Sequence, residues 1–143
     1  MEKNNYTRRI AEGGLLVCLA FIFYFTGLNL AFLDILKYLS VTPVVIGIMK
    51  YGFYQGLEMT IATSLLLCMF YSPLAGADFF LSTGIIGLSL GLCIKKNFDA
   101  FKSILCTFFA AFTGFTLNLL LYVLVMGAKI ITEDLKKIAE WSV

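Results

Sequence analysis

The stretch Ile104–Met126, ILCTFFAAFTGFTLNLLLYVLVM, runs for 23 residues without a charge. At about 1.5 Å of rise per residue such a helix reaches ~34 Å, enough to cross ~30 Å of hydrocarbon. No charged residue lies between Lys102 and Lys129, and between Arg9 and Lys37 only Glu12 and Asp34 occur. Charges segregated in this way read as membrane spans separated by short loops. Composition agrees: 60% of the 143 residues are hydrophobic, 14% are charged, and the mean hydropathy is +0.91. A water-soluble domain needs roughly a quarter of its residues charged to cover its surface.

Working outward from that stretch, four more apolar runs precede it. The first, Ile10–Leu33, follows Lys3, Arg8 and Arg9. It is too long for the apolar region of a cleavable leader, and no small-x-small cleavage pattern follows it. The second, about Leu36–Met49, is interrupted at Thr42-Pro43, which predicts a kink or a late helix start. The third runs from about Leu57 to Tyr71 and stops at Ser72-Pro73; the fourth runs from about Phe79 to Ile94 and stops at Lys95-Lys96-Asn97. The expected fold is an all-α integral membrane bundle of about five transmembrane helices plus a C-terminal amphipathic helix. Residues 1–9 form a basic N-terminus, 10–126 the transmembrane domain and 127–143 a tail or linker. Thr132 is placed as the N-cap of that tail, with Ile131, Leu135, Ile138 and Trp141 on its apolar face.

The positive-inside rule orients the bundle. With the N-terminus inside, the inner segments hold Lys3, Arg8, Arg9, Lys50, Lys95, Lys96 and Lys102. The outer segments before the tail hold Lys37 alone, beside Asp34 and Asp78. A bacterial plasma-membrane location with a cytoplasmic N-terminus is expected. The partners expected are the lipid bilayer and, at one further remove, another membrane subunit. A net charge of +2 with no basic stripe argues against nucleic acid.

Little in the chain suggests catalysis. There is no histidine, and Cys18, Cys68, Cys93 and Cys106 lie in apolar runs without metal-site spacing. No enzyme activity, cofactor or metal is expected. Small residues recur at helical spacing as Thr83-x-x-x-Gly87-x-x-x-Gly91 and as Ala110-x-x-x-Gly114-x-x-x-Asn118. Such faces let helix backbones approach closely, within the monomer or between copies. Gly52-x-x-x-Gly56 is assigned to a loop, where glycine serves turn geometry.

Asn118, Glu12, Pro43 and Tyr122 are the candidates for binding. Glu12 lies one turn inside the first span, where Arg8 and Arg9 can pair with it; Glu58, close in sequence to Lys50, invites the same reading. Asn118 sits mid-span, where an unsatisfied amide costs several kcal/mol, so it needs a partner helix or a ligand. Its stripe includes Tyr122. Pro43 marks an interrupted span of the kind that can line a cavity. A cavity lined by Asn118 and residues near Pro43 would favour a small-molecule binding subunit over a scaffold.

Two family resemblances accompany these features. The opening Thr7-Arg8-Arg9-Ile10-Ala11-Glu12-Gly13-Gly14-Leu15-Leu16 resembles the N-terminal half of the YybS-like bacterial membrane proteins. The likeness continues through Pro43, Lys50-Tyr51-Gly52, Gly56, Pro73, Gly84, Gly87, Gly91 and Lys95-Lys96. It implies a non-catalytic multi-pass protein, a scaffold or interaction partner, in a family whose members generally continue into further spans. The layout is also similar to the substrate-binding S components of energy-coupling-factor transporters, which implies binding of a vitamin or small solute. Those proteins dock through alanines four apart on the first helix, whereas this helix offers Gly14-x-x-x-Cys18.

Overall fold

The computed structural model describes the backbone of residues 2–30 and 35–141 and the side chains of 7–30 and 35–127. Among the described residues the fold is all helical. It comprises α1 (Glu2–Asn29), α2 (Ile35–Leu39), α3 (Val41–Tyr51), α4 (Phe53–Phe70), α5 (Pro73–Phe79), a π-helical turn (Phe80–Gly84), α6 (Ile85–Lys95) and α7 (Ala100–Trp141). Four stretches are long and apolar enough to cross a membrane: Thr7–Asn29, Phe53–Phe70, Pro73–Lys95 and Ala100–Gly127.

A fifth passage through the bundle is made by two short helices. Gly27, late in α1, lies against Lys37 of α2, while Glu12, early in α1, is bonded to Lys50 of α3. The pair α2–α3 therefore returns antiparallel along α1. Its interruption falls at Ser40 and not at Thr42-Pro43. The buried Ser40 hydroxyl donates to the Lys37 carbonyl, satisfying an acceptor that the helix break releases. Pro43 sits in the first turn of α3, where its missing N–H has no intrahelical acceptor to lose.

Gly52, at φ +105°, makes the tight turn into α4. Gly56 belongs to α4 itself and not to a loop; its bare backbone lies directly on the Ile48 side chain. The next passage begins six residues earlier than the apolar run suggests. Ser72 caps α5 by accepting from Ala75 N at 3.1 Å, and Pro73 occupies the first turn. Asp78 is thereby a helical residue inside the bundle and not part of a loop.

Helices α3 and α6 run parallel and in step, Gly87 against Val44 and Gly91 against Ile48. The Thr83–Gly87–Gly91 face thus packs inside the chain. The core gathers Tyr24, Val44, Ile48, Leu67 and Phe79, with Phe21, Phe25, Leu28 and Leu88 packed on it. Tyr24 meets Phe79 edge-on at 5.0 Å. Buried Thr60 and Thr63 return their hydroxyls to carbonyls one turn back, at Gly56 and Met59, so neither donor is stranded in the apolar phase.

Helix α7 packs on α6 and the π turn, where Gly114 lies against the Leu81 carbonyl. Much of its remaining surface, including Phe108, Phe112, Leu120 and Val123, faces outward, as suits contact with lipid. It continues without a break to Trp141. Thr132 therefore lies within a helix and does not start one; the amphipathic face expected of Ile131, Leu135, Ile138 and Trp141 falls outside the described side chains, as Asp34 does in its own segment.

Candidate functional site

Three polar side chains from three elements meet between α1, α5 and α7. The Tyr24 hydroxyl donates to Asp78 Oδ2 at 2.6 Å, and Asn118 Nδ2 donates to Asp78 Oδ1. One turn past Asp78, the Ser82 hydroxyl donates to the Asp78 backbone carbonyl. Asn118 is only 9% exposed, and its Oδ1 has no hydrogen-bond partner among the described residues. An ionisable residue flanked by buried polar groups in an apolar bundle marks a functional site by default.

These groups line a partly open cavity of about 360 Å³. Its second wall comes from the broken passage: Lys37 and Tyr38 of α2 and Val41 of α3. Ile86, Ala111 and Phe115 supply an apolar lining. Both irregular backbone points thus border it, the Ser40 break on one side and the π turn on the other. A π turn inserts an extra residue into the helical spiral and re-aims its side chains, here placing Ser82 and Thr83 on the cavity. An apolar pocket with a few convergent polar groups has the general form of a small-molecule site.

The residues singled out from sequence separate in space. Asn118 lies at the centre of the cluster. Tyr122, one turn along α7 and exposed, borders a shallow groove with Phe115, Asn118 and Leu119. Pro43 is fully buried in helix packing and does not line the cavity, whereas Val41 two residues earlier does. Glu12 is at the opposite end of the bundle. Asp78 and Tyr24, which complete the cluster, were not among the sequence candidates. The signal for Asp78 was available: Ser72-Pro73 is a helix-start pattern that places Asp78 in the second turn.

At the far end, Glu12 accepts from Arg8 Nε at 2.8 Å and from Lys50 and Tyr51. The Arg9 guanidinium lies 5.5 Å from the Tyr51 ring centre. Lys50 takes Glu12 as its carboxylate partner, and Glu58 is exposed on α4. Lys95 approaches Gly52 at the same end. Arg8, Arg9, Lys50 and Lys95 therefore collect at one end of the bundle, away from Asp78, whereas Lys37 lines the Asp78 cavity. Among the described residues no group of three or more Cys, Asp or Glu could hold a metal ion.

No curated protein and no solved structure matches the chain. A family model does, over residues 17–141, and its description is "Predicted membrane protein (DUF2232)". The chain belongs to this membrane-protein family.

Proposed function

We propose that this multi-pass membrane protein binds a small solute in the cavity between α1, α2 and α7. The observation that carries the reading is the cavity itself, lined by the Tyr24–Asp78–Asn118 cluster, in which the buried Asn118 Oδ1 has no hydrogen-bond partner among the described residues while its amide nitrogen is anchored on Asp78. Burying an unsatisfied acceptor costs about 1–3 kcal/mol, and a small shift of the Asn118 side chain towards a ligand in the adjoining cavity would satisfy it. The two backbone irregularities around the cavity support the same reading, because broken helices in membranes are tolerated where they line a site.

The Lys/Arg asymmetry supports a topology with the Glu12–Lys50–Lys95 end in a bacterial cytoplasm and the cavity in the outer half of the bundle. A solute would then enter from outside. The similarity of the layout to the S components of vitamin transporters supports a binding subunit that hands its ligand to another membrane protein. The YybS-like resemblance supports a second reading, a non-catalytic scaffold, and the outward apolar faces of α7 favour it.

The test is a melting-temperature screen of the purified protein against vitamins and small solutes, for wild type and Asn118→Leu. Ligand-dependent stabilisation of wild type alone supports binding. If no compound shifts the wild type, the scaffold reading stands.

A further inference from the structure

We infer that the basic end of the bundle, between the start of α1 and the end of α3, binds the phosphodiester headgroup of an anionic phospholipid. The site lies at the opposite end from the Asp78 cavity and stands whether or not that cavity holds a solute.

Arg8, Arg9, Glu12, Lys50 and Tyr51 line an open cavity of about 500 Å³. Three cations against one carboxylate leave its lining with a surplus of two positive charges. Glu12 opposes an anion, yet it also draws two of the cations together, accepting from Arg8 Nε and from Lys50. Both partners are exposed, Arg8 at 76% and Lys50 at 55%, and exposed ion pairs are weak, so a phosphate can share them. Arg9 has no acidic partner among the described residues. Its guanidinium is held 5.5 Å from the Tyr51 ring centre, with Lys50 Nζ 5.4 Å from the same point. Stacking on a ring leaves the N–H fork at the guanidinium edge for two phosphate oxygens. Lys95 reaches the same end from α6, its Nζ 3.2 Å from where a Cβ on Gly52 would stand.

The surface beside these charges favours a lipid over a dissolved phosphate. The apolar span of α1 begins at Thr7, so Arg8 and Arg9 stand at its edge. Ile10 follows Arg9 and Met49 precedes Lys50, and both are exposed, as are Phe53 and Tyr54 at the start of α4. The cations thus border an outward apolar surface, the arrangement that meets a headgroup and its acyl chains together. A zwitterionic headgroup fits less well, because its own cation meets the surplus of positive charge.

The experiment uses the intact chain in detergent. Native mass spectrometry counts bound lipid during titration with phosphatidylglycerol, cardiolipin or phosphatidylcholine of matched acyl chains. Melting temperatures are measured in phosphatidylcholine nanodiscs with and without phosphatidylglycerol, and with inorganic phosphate or glycerol phosphate in solution. The two anionic lipids should bind about tenfold more tightly than phosphatidylcholine. Arg9→Gln removes a cation that no carboxylate uses and should weaken anionic-lipid binding about fivefold. Lys102→Gln, which alters a lysine paired with Asp99 outside the cavity, should change it less than about twofold. The lipid-free melting temperature of each variant confirms that it folds.

Equal binding of phosphatidylcholine and phosphatidylglycerol overturns the assignment, as does full binding by Arg9→Gln. Equal weakening by Arg9→Gln and Lys102→Gln also overturns it, being the mark of diffuse attraction to a basic surface. Inorganic phosphate or glycerol phosphate that stabilises the protein as strongly as phosphatidylglycerol overturns the lipid in favour of a soluble phosphate ligand. If no anionic lipid is retained, the site itself is refuted.

Discussion

The Tyr24 hydroxyl and the Asp78 carboxylate, 54 residues apart in the chain, lie 2.6 Å from each other and tie α1 to α5. Tyr24 is 2% exposed, and Asp78 is the acceptor its hydroxyl uses. Tyr24→Phe keeps the ring contact with Phe79 but withdraws a donor from Asp78. Destabilisation of about 1–2 kcal/mol is expected, since bonds to charged groups are strong but membrane hydrogen bonds are modest on average. The effect should vanish in an Asp78→Ala background, which a double-mutant cycle of melting temperatures will show.

The parallel packing of α3 on α6 predicts a ranking among glycines. A Cβ on Gly91 would sit 2.7 Å from Ile48 Cδ1 and 2.9 Å from its Cβ, and Ile48 is fully buried. A Cβ on Gly87 would sit 3.0 Å from Val44 Cγ1, while one on Gly14 would meet nothing within 4 Å. Gly91→Ala should therefore cost about 1–3 kcal/mol, Gly87→Ala less, and Gly14→Ala about nothing. Gly87→Leu should exceed Gly87→Ala, because the longer side chain forces the backbones apart. Thermal stability in detergent checks the order; equal stability of all four variants would refute close packing.

Orientation yields a labelling experiment. Cys18, Cys68, Cys93 and Cys106 are free and must first be replaced. Single cysteines are then introduced at Asn97, between α6 and α7, and at Ser72, between α4 and α5. An impermeant thiol reagent added to intact cells should modify position 72 and spare position 97 until the cells are opened. The reverse pattern would invert the assigned topology.

The spans were legible because hydropathy acts on every residue of a run. Ile104–Met126 could be read as a crossing without knowing its neighbours. The charge at the start of α1 also resolved locally, since Arg8 and Glu12 are one helical turn apart. The reach from Glu12 to Lys50 did not, because it depends on how α3 returns along α1. Asn118 stood out as an amide in an uninterrupted apolar helix, yet nothing local named Asp78 as its partner. Asp78 was assigned to a loop because the apolar run begins at Phe79, whereas capping by Ser72 starts the helix earlier. The break at Ser40 was hidden in a similar way: Pro43 is the visible interruption, but proline in a first turn disturbs little. In the tail, turn-like chemistry at Thr132 was outweighed by continuity of α7.

The last prediction separates the two roles open to Asn118. Replacing it by leucine removes two opposed contributions. Loss of the Nδ2 bond to Asp78 costs about 1–2 kcal/mol, and removal of the unpartnered Oδ1 relieves a penalty of similar size. The unliganded Asn118→Leu protein should thus melt within a stability difference of about 1 kcal/mol of wild type, of either sign. Under the binding reading, the same variant should lose stabilisation by any solute that protects wild type, because the acceptor that reads it is gone. If the amide served only to join α7 to α5, a solute protecting wild type would protect the leucine variant equally. Paired melting curves with and without ligand distinguish the cases, since the first comparison reports the fold and the second reports the oxygen.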